Sequence, residues 1–254
     1  IVAYDKNSYN IIEENETQNY FQYEFNDLQT NIYTTGHSDK KGFKIIEMDK
    51  DKTSILYEMG KNKGIFPLAY KDENSMYFQK TSYYSNGEEI FDDRVICKFD
   101  IKTKQLKEIK ATKGLHTSDG VIINNLLYFT VYNEKDENVD LYRMNINEED
   151  KIELLDTGLT SNGKLYNNNG KLWINDGNKI YDYEDHTKQF PKKSLNYFYH
   201  NYLFQIDVNK EADLDLTMTN IETKKIENKF NYIIDIRAQD NKIYIYTLKE
   251  IVEI

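Results

Sequence analysis

The stretch Gly120-Val-Ile-Ile-Asn-Asn-Leu-Leu-Tyr-Phe-Thr-Val-Tyr132 decides how this chain is read. Gly120–Ile123 and Leu126–Tyr132 are short runs rich in β-branched and aromatic residues. Asn124-Asn125 between them tolerate the left-handed backbone of a two-residue hairpin turn. A charged loop follows, then Asp140-Leu-Tyr-Arg-Met-Asn145, a polar turn and Lys151-Ile-Glu-Leu-Leu155. The prediction is four strands, each joined to the next by a hairpin.

The unit repeats. An apolar residue followed by an aromatic one opens a strand at Ile32-Tyr33, Met76-Tyr77, Leu127-Tyr128, Leu172-Trp173, Leu203-Phe204 and Ile243-Tyr244, at intervals of 31 to 51 residues. That is the range of a four-stranded propeller blade. The exits from the third strand also resemble one another: Met48-Asp49-Lys-Asp-Lys-Thr, Phe99-Asp100-Ile-Lys-Thr-Lys and Asn220-Ile-Glu-Thr-Lys. This favours a propeller over an antiparallel sandwich with regularly spaced turns. The expected fold is all-β, a six-bladed β-propeller of four-stranded antiparallel blades forming a single domain over 1–254. Its blades are expected at 20–58, 66–109, 119–156, 163–190 and 195–230, with 232–254 closed by 1–14. Pairing of the N- and C-terminal strands closes the ring and removes exposed edges, with one strand surplus; seven blades is the alternative.

Ile32-Tyr-Thr-Thr, Leu127-Tyr-Phe-Thr and Leu172-Trp-Ile-Asn resemble the Leu-Tyr-Trp-Thr-Asp strand of six-bladed YWTD-type propellers. The units are similar, too, to bacterial surface or lipoprotein propeller domains of unknown function in low-GC Gram-positive bacteria. The resemblance covers most of the chain, although the Asp that closes the motif is absent from most units. It implies a binding scaffold and carries over no catalytic residue.

Composition narrows the classes further. A chain of 254 residues with 14 % aromatic and 30 % charged residues, and with 22 tyrosines, buries a core and is not a disordered composition. A net charge of −10, from 33 basic against 43 acidic residues, argues against a nucleic-acid partner. Arginine is scarce, so bidentate clamps for phosphates and carboxylates are few. The single cysteine, Cys97, excludes an intrachain disulfide and reads as a packed thiol in a strand. No run is apolar and long enough to span a membrane. The chain opens Ile1-Val2-Ala3 without methionine, so an upstream signal peptide or anchor is expected to have been removed. The expected location is extracellular or at the cell surface, with the cytoplasm as the alternative, and the expected state is a monomer.

In an antiparallel blade the second-to-third strand loops and the blade-to-blade connections emerge on one face. That face carries the longer segments: Thr81–Asp93, Asn133–Val139, Gly36–Gly42, Gly60–Ile65 and Lys110–Ser118. Long loops on a rigid scaffold concentrate binding residues, which singles out Tyr83, Tyr84, His37, Asp39, Lys113 and His116. Adjacent tyrosines offer amphipathic area for a sugar or peptide; the plainer alternative has one tyrosine covering the blade edge and the other merely exposed. In Asp207-Val-Asn209-Lys-Glu211-Ala-Asp213 oxygen-bearing side chains alternate as in a calcium loop. Ala212 stands where the turn glycine belongs and Met218 where the bidentate Glu belongs, so no metal or other cofactor is favoured. Nucleophile-elbow, zinc-helix, Walker and dinucleotide motifs are absent. The expectation is a non-enzymatic recognition or sensor domain for a protein, peptide or glycan. The alternatives are a glycoside hydrolase or lyase with acids at the central channel, and a structural or assembly module.

Overall fold

The computed structural model describes residues 2–4, 11–14, 20–22, 32–38, 42–49, 52–72, 75–149, 151–160, 163–209, 213–239 and 242–253. It divides into two compact units, Ile1–Leu159 and Thr160–Ile254. In the first unit, β1 (Val2–Tyr4) pairs with β2 (Ile11–Glu14). Three four-stranded sheets follow. They are β3–β6 (Tyr20–Gln22, Ile32–Ser38, Gly42–Asp49, Lys52–Glu58), β7–β10 (Lys63–Asp72, Ser75–Tyr83, Glu89–Asp100, Gln105–Glu108) and β11–β14 (Thr117–Ile123, Leu126–Asn133, Asn138–Asn145, Ile152–Thr160). The second unit holds β15–β18 (Lys164–Asn168, Lys171–Asn175, Lys179–Asp182, Gln189–Pro191) and β19–β22 (Leu195–Tyr199, Tyr202–Val208, Leu214–Asn220, Ile226–Phe230). A three-stranded sheet ends it, β23–β25 (Ile233–Gln239, Lys242–Thr247, Ile251–Glu253). In every sheet the strands lie in chain order, so each sheet is a simple antiparallel meander. No helix among the described residues is long and apolar enough to cross a membrane.

The first-to-second strand turns follow from residue type. Asn124 and Asn125 (φ 48° and 65°) and Asn169-Gly170 (φ 52° and 76°) take the left-handed backbone that a two-residue hairpin requires.

The apolar–aromatic pairs have a packing reason. In β8, Met76 and Phe78 join Val95, Cys97 and Phe99 of β9 in a core against Ile45 and Leu56 of the preceding sheet. Tyr77 points the other way, with Ile96, into a core shared with Leu127, Phe129 and Met144 of the following sheet. In the second unit Leu203 packs back onto Trp173, Ile180 and Phe190. Phe204, Ile206 and Leu216 turn forward to Ile233, Ile243 and Ile245. Successive side chains alternate across a strand, so a strand buried on both faces needs apolar residues without interruption. Met76-Tyr77 and Leu203-Phe204 each give the first residue to the sheet before and the aromatic to the sheet after. Truncating such a fully buried aromatic to Ala costs about 3–5 kcal/mol.

One expectation about loops is corrected. Thr81–Asp93 is mostly strand: β8 runs on to Tyr83 and β9 begins at Glu89, leaving only Tyr84–Glu88 as loop. Four of the polar residues that read as loop are bonded across the hairpin, Thr81 to Glu89 and Ser82 to Asp93, and what projects is a strand pair.

Candidate functional site

The β8–β9 hairpin carries a large bulge. Lys80 pairs with Val95, but two residues further along β8 Ser82 pairs with Ile90, so Phe91–Arg94 all fall opposite Thr81. Extra residues on one strand break the alternation and re-aim side chains. Phe91 is thrown outward and is 57 % exposed, whereas Arg94 turns inward and is 3 % exposed.

Two carboxylates pin the bulge to β8. The Arg94 guanidinium donates through Nε and Nη2 to the two oxygens of Glu89, both at 2.9 Å, and the Thr81 hydroxyl donates to the same carboxylate. The guanidinium carbon also lies 4.2 Å from the centre of the Phe91 ring, a cation–π arrangement. The second tie runs through Asp93, which accepts from the Ser82 hydroxyl and, at 3.3 Å, from the Lys63 ammonium. Hydrogen bonding from Arg94, outweighing burial, holds the Glu89 pKa below the usual carboxylate value. The Ser82 hydroxyl does the same for Asp93, with Lys63 helping. Both groups are therefore anions at neutral pH. Lys63 also donates to Ser82, but a lysine that gives its protons to a serine and an aspartate is no base for that serine.

Of the residues singled out from sequence, the structure brings several together here. Tyr83 is half-buried, and its N–H donates to the Asn62 carbonyl at 2.8 Å. Burial first, and then the Glu89 charge, raise its pKa. Its ring lies so close over Gly64 that a Cβ there would sit 3.0 Å from the hydroxyl and 2.8 Å from Thr81 Cγ2, which is why glycine occupies position 64. Tyr84 is 55 % exposed and closes the hairpin through its N–H to the Glu88 carbonyl, 2.7 Å. One tyrosine covers the blade; the other faces water.

His116 lies in the connection to β11, half-buried and edge-on to Tyr132, with ring centres 5.6 Å apart. Its carbonyl accepts from Tyr132 N–H, while its Nδ1 is buried without a hydrogen-bond partner. Burial first, then the Arg94 charge, lower its pKa, and Glu89 and Glu134 oppose them. Lys113 is exposed on the same connection; the next residue, Gly114, donates to the Arg94 carbonyl at 2.7 Å. His37 stands in β4 with its backbone opposite Phe43; its side chain and Asp39 lie outside the described residues.

Two residues of the candidate calcium stretch, Asp207 and Asn209, have partners within the protein. Asp207 accepts from Lys193 at 2.8 Å and from Ser194 at 3.1 Å, and the Lys193 bond is the main reason its pKa is lowered. Asn209 donates its amide to both Asp215 oxygens at 3.3 Å and accepts the Asp213 N–H at 3.0 Å, which closes the β20–β21 hairpin. Glu211 lies outside the described residues. Among the described residues no group of three or more His, Cys, Asp or Glu is placed to hold a metal ion. Cys97 is fully buried, and burial pushes its thiol pKa up to about 12, so it is an inert packed group. An open groove of about 770 Å³ lies at the other end of the β11–β14 sheet, lined by Leu126, Met144, Glu148 and the Arg143–Glu153 pair.

Phe91, Glu89 and Arg94 were not among the residues singled out. Their only trace in the sequence is the Glu89-Ile-Phe-Asp-Asp-Arg94 run, in which apolar and charged residues stop alternating.

No protein-family model and no curated protein sequence matches the chain. Solved structures do resemble it. A chain of a nidogen/laminin complex is 14 % identical with a TM-score of 0.54, over 81 % of this chain and 77 % of that one. An oligogalacturonate lyase from Vibrio parahaemolyticus is 10 % identical with a TM-score of 0.57, over 93 % and 76 %. A puromycin-hydrolysing peptidase from Mycobacterium tuberculosis is 10 % identical with a TM-score of 0.54, over 83 % and 37 %. With the meandering four-stranded sheets, these likenesses support a β-propeller fold.

Proposed function

We propose that the chain is a non-enzymatic recognition or sensor domain that takes a protein, peptide or glycan at the sheet ends carrying Tyr84 and Phe91. The fold itself selects nothing, since it serves both a nidogen/laminin assembly and a lyase. The observation that carries the reading is two strongly exposed aromatic side chains on a projecting hairpin whose inner charges are already cross-tied. Rigid exposed aromatics supply contact area at low entropic cost, and the ties fix their position. Glu89 and Asp93 are held ionised, so neither is poised as the proton donor that a hydrolase or lyase needs.

The test is retention on a panel of peptides and glycans by Phe91→Ala and Tyr84→Ala. Melting temperatures within about 3 °C of wild type, together with at least about tenfold weaker retention, are expected for exposed hot-spot residues. Unchanged retention removes this face from consideration.

The reading extends to architecture and place. The proposal is six blades, the sixth combining β1–β2 with β23–β25, in a protein carried at a Gram-positive cell surface. A chain lacking residues 1–14 is then expected to unfold at a clearly lower temperature, because a sheet edge loses its partners. An unchanged melting temperature refutes that closure.

A further inference from the structure

Resting on that reading, we infer that the β8–β9 tip binds an extended cationic peptide segment of a protein partner, lysine or arginine side chains alternating with proline or other apolar ones. The charge arrangement at the tip points there. Between Tyr84 and Asp93 the chain holds four carboxylates, Glu88, Glu89, Asp92 and Asp93, and no lysine or arginine. Arg94 neutralises Glu89 and Lys63 neutralises Asp93. Glu88 and Asp92 are exposed, and neither has an ion-pair partner among the described residues.

Each free carboxylate accompanies an exposed ring. Glu88 is joined to Tyr84 across the turn by the 2.7 Å backbone hydrogen bond, and Asp92 follows Phe91 directly. An aromatic face beside a free carboxylate suits a lysine or arginine side chain, whose stem lies on the ring while its head reaches the anion. The two rings are not equivalent. The Arg94 guanidinium already occupies one face of Phe91, which disfavours a second cation there and suits proline or an aliphatic stem. Among the described residues no cation lies over Tyr84, and it takes the charged side chain.

The neighbouring hairpin adds to the same field. Its tip carries exposed Glu134, Asp136 and Glu137 against one lysine, Lys135, and Glu134 is close enough to act on His116. A second copy of the chain is disfavoured as occupant, because two chains of net charge −10 repel.

The test is fluorescence anisotropy of the whole chain with three labelled decapeptides, alternating Lys-Pro, Ser-Pro and Glu-Pro. The Lys-Pro peptide is expected to bind, and the Glu-Pro peptide not to. Raising salt from about 50 to about 300 mM should weaken binding several-fold, as for exposed charges. Glu88→Gln and Asp92→Asn should each weaken it about two- to fivefold, and Phe91→Ala about tenfold. Glu148→Gln, which removes the same charge from the opposite end of the adjacent sheet, should change it less than about 1.5-fold. Equal losses in Glu88→Gln and Glu148→Gln, or no binding of the Lys-Pro peptide, overturn the inference. If instead a neutral peptide or glycan binds and is lost in Phe91→Ala, the face stands as a recognition site and the cationic partner falls.

Discussion

Replacing Arg94 by alanine tests whether the hairpin is pinned as described. Arg94 is 3 % exposed, and the Glu89 side chain that it grips is 22 % exposed. Removing one partner of a buried pair costs about 3–5 kcal/mol, because the remaining charge loses its compensation. Partial solvation of Glu89 reduces that figure, while loss of the stack under Phe91 adds about 0.5–1 kcal/mol. The sum is about 3 kcal/mol, or about 6–12 °C for a chain of this size if unfolding is two-state. Urea denaturation of Arg94→Ala, Glu89→Ala and the double variant gives the coupling between the two residues, expected at about 1 kcal/mol or more. Hydrogen exchange should speed up first in 89–95 and in 112–116, where Gly114 bonds the Arg94 carbonyl. The pH dependence follows from the lowered Glu89 pKa. Its contribution is complete above the ordinary glutamate value of 4.5 and is lost as pH falls through the lower folded value. The gap between wild type and Arg94→Ala should therefore narrow in acid. A cost under about 1 kcal/mol with no coupling would show that the pair does not hold the bulge.

Three further outcomes are expected. Asp182 is fully buried and accepts from Lys171 at 3.2 Å and from the backbone of Glu184 and Asp185 at 3.0 and 3.1 Å; Asp182→Ala should lower stability by about 2–4 kcal/mol in urea melts, and a loss below about 1 kcal/mol would contradict this. The His116 pKa lies below 6.5 in the folded chain because of burial and Arg94, so the unfolded chain binds that proton better and stability falls as pH drops through this range; His116→Gln should lose less between about pH 7 and 5 than wild type. Cys97, with its thiol pushed to about 12, should resist iodoacetamide at about pH 8 until the chain is unfolded, and rapid native labelling would show an open cavity there.

Much of the fold was legible because it depends on local chemistry. Asn124-Asn125 announces a two-residue turn, and both backbones take the required positive φ. The apolar–aromatic pairs announce strands buried on both faces, and Met76-Tyr77 does serve two separate cores. The bulge was not legible. Phe91-Asp-Asp-Arg94 looks like loop because nothing in the order of residues says that Glu89 will meet Arg94 or that Asp93 will meet Lys63. Glu89 and Arg94 meet only because the bulge folds β9 back on itself, Asp93 and Lys63 come from different strands, and the register that joins them is set by the hydrophobic cores at the other end of the sheet. Tyr83 and Tyr84 read as a pair in the sequence for the same reason: strand alternation separates them, and only the closeness of Gly64 reveals that Tyr83 belongs to the scaffold.

The division of labour at the tip follows from that alternation. Sheets buried on both faces leave only edges and ends for recognition. The β10 edge, Gln105–Glu108, presents charged and polar residues that discourage strand pairing. The ends remain, and at the β8–β9 end the acids come as neighbours, Glu88-Glu89 and Asp92-Asp93. In each pair one carboxylate is drawn to a cation of the scaffold, Arg94 or Lys63, and the other is left exposed to water. Adjacent residues of the same type thus carry opposite duties. The inner member holds the aromatic platform in place, and the outer member, free of structural obligation, sets the charge that an incoming ligand meets.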